Sequence, residues 1–273
     1  MIGYLLLAPL LGGLLTGLEG WLKARLQGRR RSSILQPFQD IILLFKMSPI
    51  QARGKFTFYA VGFFIGVALS GGLFFGGESI TLVILLWAVA GFINILALYN
   101  SQSSYSKYAL EKEAIWIGIH LTIFMFTAIG LFLVTAHNTG EGSFHVYYIL
   151  SQGYVPACQL PGILIGFIAL LVLAPRRCFL EHTVAAEYSG RNLAFFEVGR
   201  WYENILLFGF VFILHYGGTV LTAVISVIVC LLIFLLRLLL TSPLSKKYEA
   251  TFYYVIGLIS LIMIFINLVV LVK

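Results

Sequence analysis

Glu19-Gly-Trp-Leu-Lys23-Ala-Arg25-Leu-Gln27-Gly-Arg29-Arg-Arg31 ends an apolar run that starts at Met1 and holds no charge before Glu19. A helix needs about 20 apolar residues to cross a hydrocarbon core about 30 Å thick. The run passes straight into the basic segment with no small-residue cleavage site between them, so it reads as a retained span rather than a signal peptide. Seven more runs of this kind follow, at 56–76, 80–99, 114–136, 159–175, 194–214, 217–239 and 250–272. They are continuous rather than alternating, which excludes the strands of a membrane barrel. The expected fold is therefore all-α: a polytopic integral membrane protein of about eight transmembrane helices, forming one membrane domain over residues 1–273.

Composition supports lipid as the solvent. The chain is 60% apolar and 11% charged, where soluble domains carry roughly 25% charge, and its mean hydropathy is +0.98. The net charge of +7 would point to nucleic acid in a soluble protein. Here the basic residues are placed as topology anchors, and no nucleic-acid partner is expected. Seventeen of the eighteen Lys and Arg residues fall in or close beside four connections, which follow the first, third, fifth and seventh runs. The first holds Lys23 to Lys55, the second Lys107 and Lys112, the third Arg176 to Arg200, and the fourth Arg237, Lys246 and Lys247. The other connections hold none. Because inserting helices keep Lys and Arg on the cytoplasmic side, both termini are expected outside, and residues 23–55 and 176–193 form cytoplasmic loops.

Within the first loop, Ile41-Ile-Leu-Leu-Phe45 is too short to span. Pro37 just ahead and Lys46 just after make it a short interfacial helix. The external stretch from His137 to Gln159 has aromatics and glycines but no basic residue, and no chemistry is assigned to it. Cys158, Cys178 and Cys230 are scattered, with no CxxC, so neither an iron–sulfur cluster nor a zinc site is suggested. No internal repeat supports an inverted-repeat transporter. No Ser-His-Asp arrangement or phosphate-binding glycine loop is present.

Four local motifs carry a resemblance. Lys23-Ala-Arg-Leu-Gln-Gly-Arg29 is followed by Leu35-Gln-Pro-Phe-Gln-Asp40; Ser103-Ser-Tyr-Ser106 is followed by Lys112-Glu-Ala114; Glu187-Tyr-Ser-Gly190 comes next; and Glu197 precedes Trp201-Tyr-Glu203. In this order the chain resembles, over nearly its whole length, the membrane subunit shared by respiratory complex I and energy-converting nickel–iron hydrogenases. The last motif is similar to the hydrogenase branch. There are departures. Ser32-Ser33 replaces the family's Gly-Pro, Leu43 stands where a lysine is usual, and Leu121 stands in place of a helix-four Glu, with His120 beside it. The stretch Arg177-Cys-Phe-Leu-Glu-His182 is a shortened form of the segment that helps build the quinone site in complex I.

The resemblance implies a membrane-anchoring and coupling subunit in a prokaryotic cell membrane, with the soluble arm docked on the cytoplasmic side. Its implied partners are hydrogenase large and small subunits, a ferredoxin-like electron-transfer subunit, an antiporter-like membrane subunit and the lipid bilayer. The nickel–iron centre and iron–sulfur clusters belong to the partners, and this subunit holds no cofactor or metal and no catalytic residue. The alternative is the quinone-site subunit of a complex I-like dehydrogenase, against which the shortened loop argues. A passive anchor and an independent transporter are the further alternatives.

Two sets of candidate residues follow. Arg25, Gln27, Arg29, Gln36, Asp40, Glu187 and Tyr188 are the docking candidates. The basic loop anchors topology in any case, but its glutamines and Asp40 add directional hydrogen-bonding groups that anchoring does not need. Glu19, Glu113, His120, Glu197, Arg200 and Glu203 are the ion-path candidates. Glu113 and His120 project from nearly one helix face, about 10.5 Å apart in height; the imidazole either exchanges protons or bonds a neighbouring helix. Arg200 lies between Glu197 and Glu203 around the axis. Glu203, about 17 Å into its helix, is either a protonatable element or part of a structural ion pair. Glu19 and Lys23 sit at the spacing of a local ion pair. Arg237 is expected to snorkel to the cytoplasmic face.

Overall fold

The computed structural model describes residues 2–26, 28, 33–49, 54–101, 106–165, 184–240, 262, 265, 266 and 269. The chain is an all-α polytopic membrane protein. Its helices are α1 (Ile2–Leu26), α2 (Gln36–Lys46), α3 (Gly54–Phe75), α4 (Ile80–Asn100), α5 (Ser106–Thr139), α6 (Val146–Ser151), α7 (Pro156–Gln159), α8 (Gly190–His215) and α9 (Val220–Leu240), with a 3₁₀ turn at Val184–Glu187 before α8. No strand occurs among the described residues; one isolated bridge joins Ser79 and His145.

Among the described residues, five helices are long and apolar enough to cross a membrane: α1, α3, α4, α5 and α9. α8 has the length, 26 residues or about 39 Å, but Arg191, Glu197, Arg200 and Glu203 lower its hydropathy. α5 begins eight residues ahead of the expected run at 114. Glu111, Lys112 and Glu113, which look like loop by charge, are good helix formers. The expected span at 159–175 is described only to residue 165, and that at 250–272 only at four positions. The loop at 177–182 and the residues Gln27, Arg29, Ser103, Ser104 and Tyr105 lie outside the described residues.

The chain divides into two compact units: Met1–Gly72, Leu85–Gly118 and Arg177–Ile205 form the first, and Leu73–Ile84, Ile119–Arg176 and Leu206–Lys273 the second. The first unit packs through small residues. Gly66 faces Ala90, where an added Cβ would meet the alanine Cβ at 2.8 Å, and Gly12 of α1 faces Trp201 of α8, where it would meet Cβ at 2.6 Å. Such glycines let helix backbones approach where lipid supplies no hydrophobic drive. Gly13 and Gly17 receive Phe38 and the Ile34 carbonyl, so the segment leading into α2 lies against α1.

Pro9 sits inside α1 and has no N–H to give the Leu5 carbonyl four residues back. The Tyr202 hydroxyl donates to that carbonyl at 2.5 Å, and the Tyr4 hydroxyl donates to the Tyr202 carbonyl at 3.1 Å. The proline's freed acceptor is thereby satisfied by a neighbouring helix. In the second unit the core is aromatic. Phe210 packs on Phe74 and Phe124 with ring centroids 4.5 and 4.9 Å away, and Phe132 stacks on Phe144 at 4.6 Å.

Candidate functional site

Two hydrogen bonds join α4 to the segment that leads into and along α8. At one end, the Trp87 indole N–H of α4 donates to Glu203 Oε1 at 3.1 Å, in a buried position. At the other, the Ser101 hydroxyl, one residue past α4, donates to the Glu187 carboxylate. Residues 87 and 101 are fourteen apart, about 21 Å of helix, so the two bonds hold the segments antiparallel.

The Glu187-Tyr-Ser-Gly190 stretch now has a physical account. Glu187 ties the turn to the end of α4. The Tyr188 ring is buried against Phe56 and Phe196, with centroids 6.5 and 5.3 Å away. Burial pushes its phenol pKa up, with the Tyr59 phenol adding to the shift. Gly190 opens α8 at φ 51°, and a Cβ there would meet the Met47 and Ser48 carbonyl oxygens at 2.8 Å. Only glycine takes that dihedral without strain and admits that approach.

Of the docking candidates, Arg25, Gln36 and Asp40 are exposed. Arg25 stacks its guanidinium over Trp21 at 5.5 Å. Glu187 is half-buried, and Tyr188 stands in the core rather than on the surface. Gln27 and Arg29 lie outside the described residues.

Of the ion-path candidates, Glu19 pairs with Lys23 at 2.5 Å, the local partner its spacing suggests. Glu113 and His120 are both buried along the unbroken α5. They belong to different units, and His120 packs edge-on to Phe124 at 6.2 Å. Arg200 is buried, 3.7 Å from Glu197 and 5.8 Å from the centre of the Phe196 ring. Glu197 is part-exposed, whereas Glu203 is buried. Arg237 differs from expectation: it is buried in the second unit rather than reaching out past its helix end.

Trp87, Ser101, Asn94 and Asn192 are the site residues that sequence reasoning missed. Asn94 had a readable signal, a side-chain amide inside a 21-residue apolar helix. Trp87 and Ser101 had none, because cross-helix register is not written in periodicity. Among the described residues, no group of three or more His, Cys, Asp or Glu is placed to hold a metal ion.

No family model and no curated protein matches the chain in sequence. Its structure is similar to a chain in the structure of the membrane-bound sulfane sulfur reductase (MBS), an archaeal respiratory membrane complex, with a TM-score of 0.72 and 16% identity over 96% of this chain and 96% of that one. At that identity the likeness shows the fold alone: this chain is a multi-pass helical membrane protein with the architecture of that chain.

Proposed function

We propose that this chain is a membrane-anchoring and coupling subunit of a complex I-like respiratory oxidoreductase. It docks a soluble electron-transfer arm through the exposed face around Arg25, Gln36 and Asp40, and links redox chemistry to ion movement through the buried carboxylates of the first unit. The observation that carries this reading is the fold likeness over nearly the full length of both chains. Buried acidic side chains inside a membrane-spanning segment add to it, because they are costly and mark ion pathways.

Within that class, the Glu197 and Trp201-Tyr-Glu203 stretch favours the energy-converting nickel–iron hydrogenase branch, in which ferredoxin and hydrogen are the redox partners. A second reading is favoured by the neighbour's chemistry: the soluble arm reduces sulfane sulfur instead. In both, the nickel–iron or sulfur-reducing centre and the iron–sulfur clusters sit in partner subunits. The arm docks on the side of the first basic loop, in the cytoplasm of a prokaryotic cell.

Affinity purification of the tagged chain from its native membranes tests this directly. Mass spectrometry is expected to find soluble redox subunits and an antiporter-like membrane subunit. With reduced ferredoxin, the complex evolves hydrogen in the first reading and turns over a polysulfide in the second. Reduction of added quinone, with inhibition by quinone-site ligands, would instead assign it to the complex I-like quinone branch. A chain that purifies without redox subunits would overturn the proposal.

A further inference from the structure

A groove open on one side runs between α3 and α4, and its head presents a cation and a hydroxyl donor. The two helices are antiparallel. The Asn100 amide of α4 donates to the Tyr59 hydroxyl oxygen of α3 at 3.0 Å, a Cβ added to Gly62 would meet Ile93 at 3.2 Å, and one added to Gly66 would meet Ala90 at 2.8 Å. At about 100° per residue, Phe58, Ile65 and Leu69 fall about 20–60° to one side of Gly62, and Val89 and Leu96 about 40–60° to one side of Ile93. Between antiparallel helices these are the same side. All five side chains are exposed, so they form two apolar walls above the close contact of Gly62 and Gly66 with α4. All of these residues belong to the first unit.

At the head, Asn100 Nδ2 also donates to the Leu96 carbonyl at 2.8 Å, which uses both of its N–H groups. The Tyr59 hydroxyl accepts the other one and, among the described residues, donates its own proton to none. Lys55 lies one turn ahead of Tyr59 on the same face. It is exposed and has no ion pair among the described residues. An ammonium and a phenol hydroxyl together, where an apolar helix leaves the hydrocarbon, complement the oxygens of a phosphate.

The length of the walls selects the occupant. Phe58 to Leu69 is a step of eleven residues, and so is Val89 to Asn100, about 16 Å each. On α3 the exposed line stops there, since Gly72, seven residues on from Ile65, is buried. A hydrocarbon core is about 30 Å thick, so the two walls reach half-way, the depth of one leaflet. A partner's transmembrane helix needs the whole thickness. A lipid of one leaflet has the length, and an anionic one has the charge.

We propose that this groove holds one anionic phospholipid. Its phosphate takes the Lys55 ammonium and the Tyr59 O–H, and one of its chains lies between Phe58 and Ile65 on α3 and Val89 and Leu96 on α4. The site binds and transforms nothing, and its occupancy depends neither on the soluble arm nor on the redox reaction proposed above.

Native mass spectrometry tests it, on the full chain purified with the partners it retains, delipidated and titrated with dioleoylphosphatidylglycerol. Lys55→Gln is expected to weaken the tightest-bound lipid by about fivefold and Tyr59→Phe by about threefold, while Lys55→Arg binds as the parent does. Leu96→Trp fills the groove without touching its head and is expected to weaken binding by at least about threefold. Dioleoylphosphatidylcholine has the same chains and no net charge, and the parent is expected to bind it no better than Lys55→Gln does. Unchanged phosphatidylglycerol affinity in both Lys55→Gln and Tyr59→Phe overturns the proposal. So does displacement of the lipid by millimolar inorganic phosphate, which would mark an anion site that needs no chain. If the variants fail to insert, a cryo-EM map of the parent in phosphatidylglycerol nanodiscs decides. Phosphate density at Lys55 and Tyr59 with a chain between α3 and α4 is expected; a partner helix, a quinone or a bare groove there overturns the proposal.

Discussion

Polar side chains are buried in both units, but they are satisfied differently. In the second unit, three of them turn back on their own helix. The Thr127 hydroxyl donates to the Ile123 carbonyl at 2.7 Å, Ser226 does the same to Thr222 at 2.7 Å, and His215 Nδ1 lies 2.9 Å from the Val211 carbonyl. In the first unit they reach between elements: Trp87 to Glu203, Ser101 to Glu187, Tyr202 to Leu5, Tyr4 to Tyr202. A self-satisfied hydroxyl is the bland way to carry polarity through lipid. Interhelical bonds tie register to chemistry, and the unit that holds them also holds the exposed face proposed for docking. The proposed function has electron transfer and ion movement meet in the first unit, while the second presents exposed leucines along α9, such as Leu231 and Leu232.

The sharpest way to break this contrast is at the docking face. Reversing charge at Arg25 and Arg29 together is expected to strip the soluble redox subunits from washed membranes while the chain stays inserted, since Arg pairing is geometrically demanding. Full retention of redox activity on the mutant membranes would reduce the loop to a topology anchor.

Glycine substitutions give a smaller, graded effect. Gly190→Ala in the first unit forces a left-handed dihedral and a contact with two carbonyls, for a cost of about 2–4 kcal/mol. Gly140→Ala in the second unit, at φ 78° with open space around it, bears the backbone term alone, about 1–2 kcal/mol. Thermal melts of the two purified variants measure the difference. Equal losses would show that the approach of Gly190 to residues 47–48 is not a tight joint.

Smaller still is Trp87→Phe, which keeps an aromatic ring and removes the bond to Glu203. Assembly should persist, with ion movement per electron reduced by about three- to tenfold. Thr127→Val in the second unit should change stability by less than about 1 kcal/mol and leave ion movement alone. An equal effect of the two variants on the ion gradient in vesicles would erase the distinction between the units.

Much of the architecture was legible in the sequence because lipid makes it so. Uninterrupted apolar runs have one helical solution, and α1, α3, α4, α8 and α9 fall within about four residues of the runs that announce them. The early start of α5 was not legible, because Glu111-Lys112-Glu113 has the charge of a loop and the propensity of a helix. The pairing of Glu19 with Lys23 could be read, being local. The bond between Trp87 and Glu203 could not, since 116 residues separate them and only packing sets their register. The same holds for Arg237, whose burial depends on what covers it.

Glu203→Gln in the intact complex, reconstituted into sealed vesicles, tests most directly the coupling role assigned to the first unit. Glutamine keeps the shape and still accepts from the Trp87 indole, but it exchanges no proton. Redox turnover is expected to continue in detergent, where no gradient opposes it, while ions moved per electron in sealed vesicles fall toward zero. Normal assembly with a normal gradient would contradict that role for Glu203.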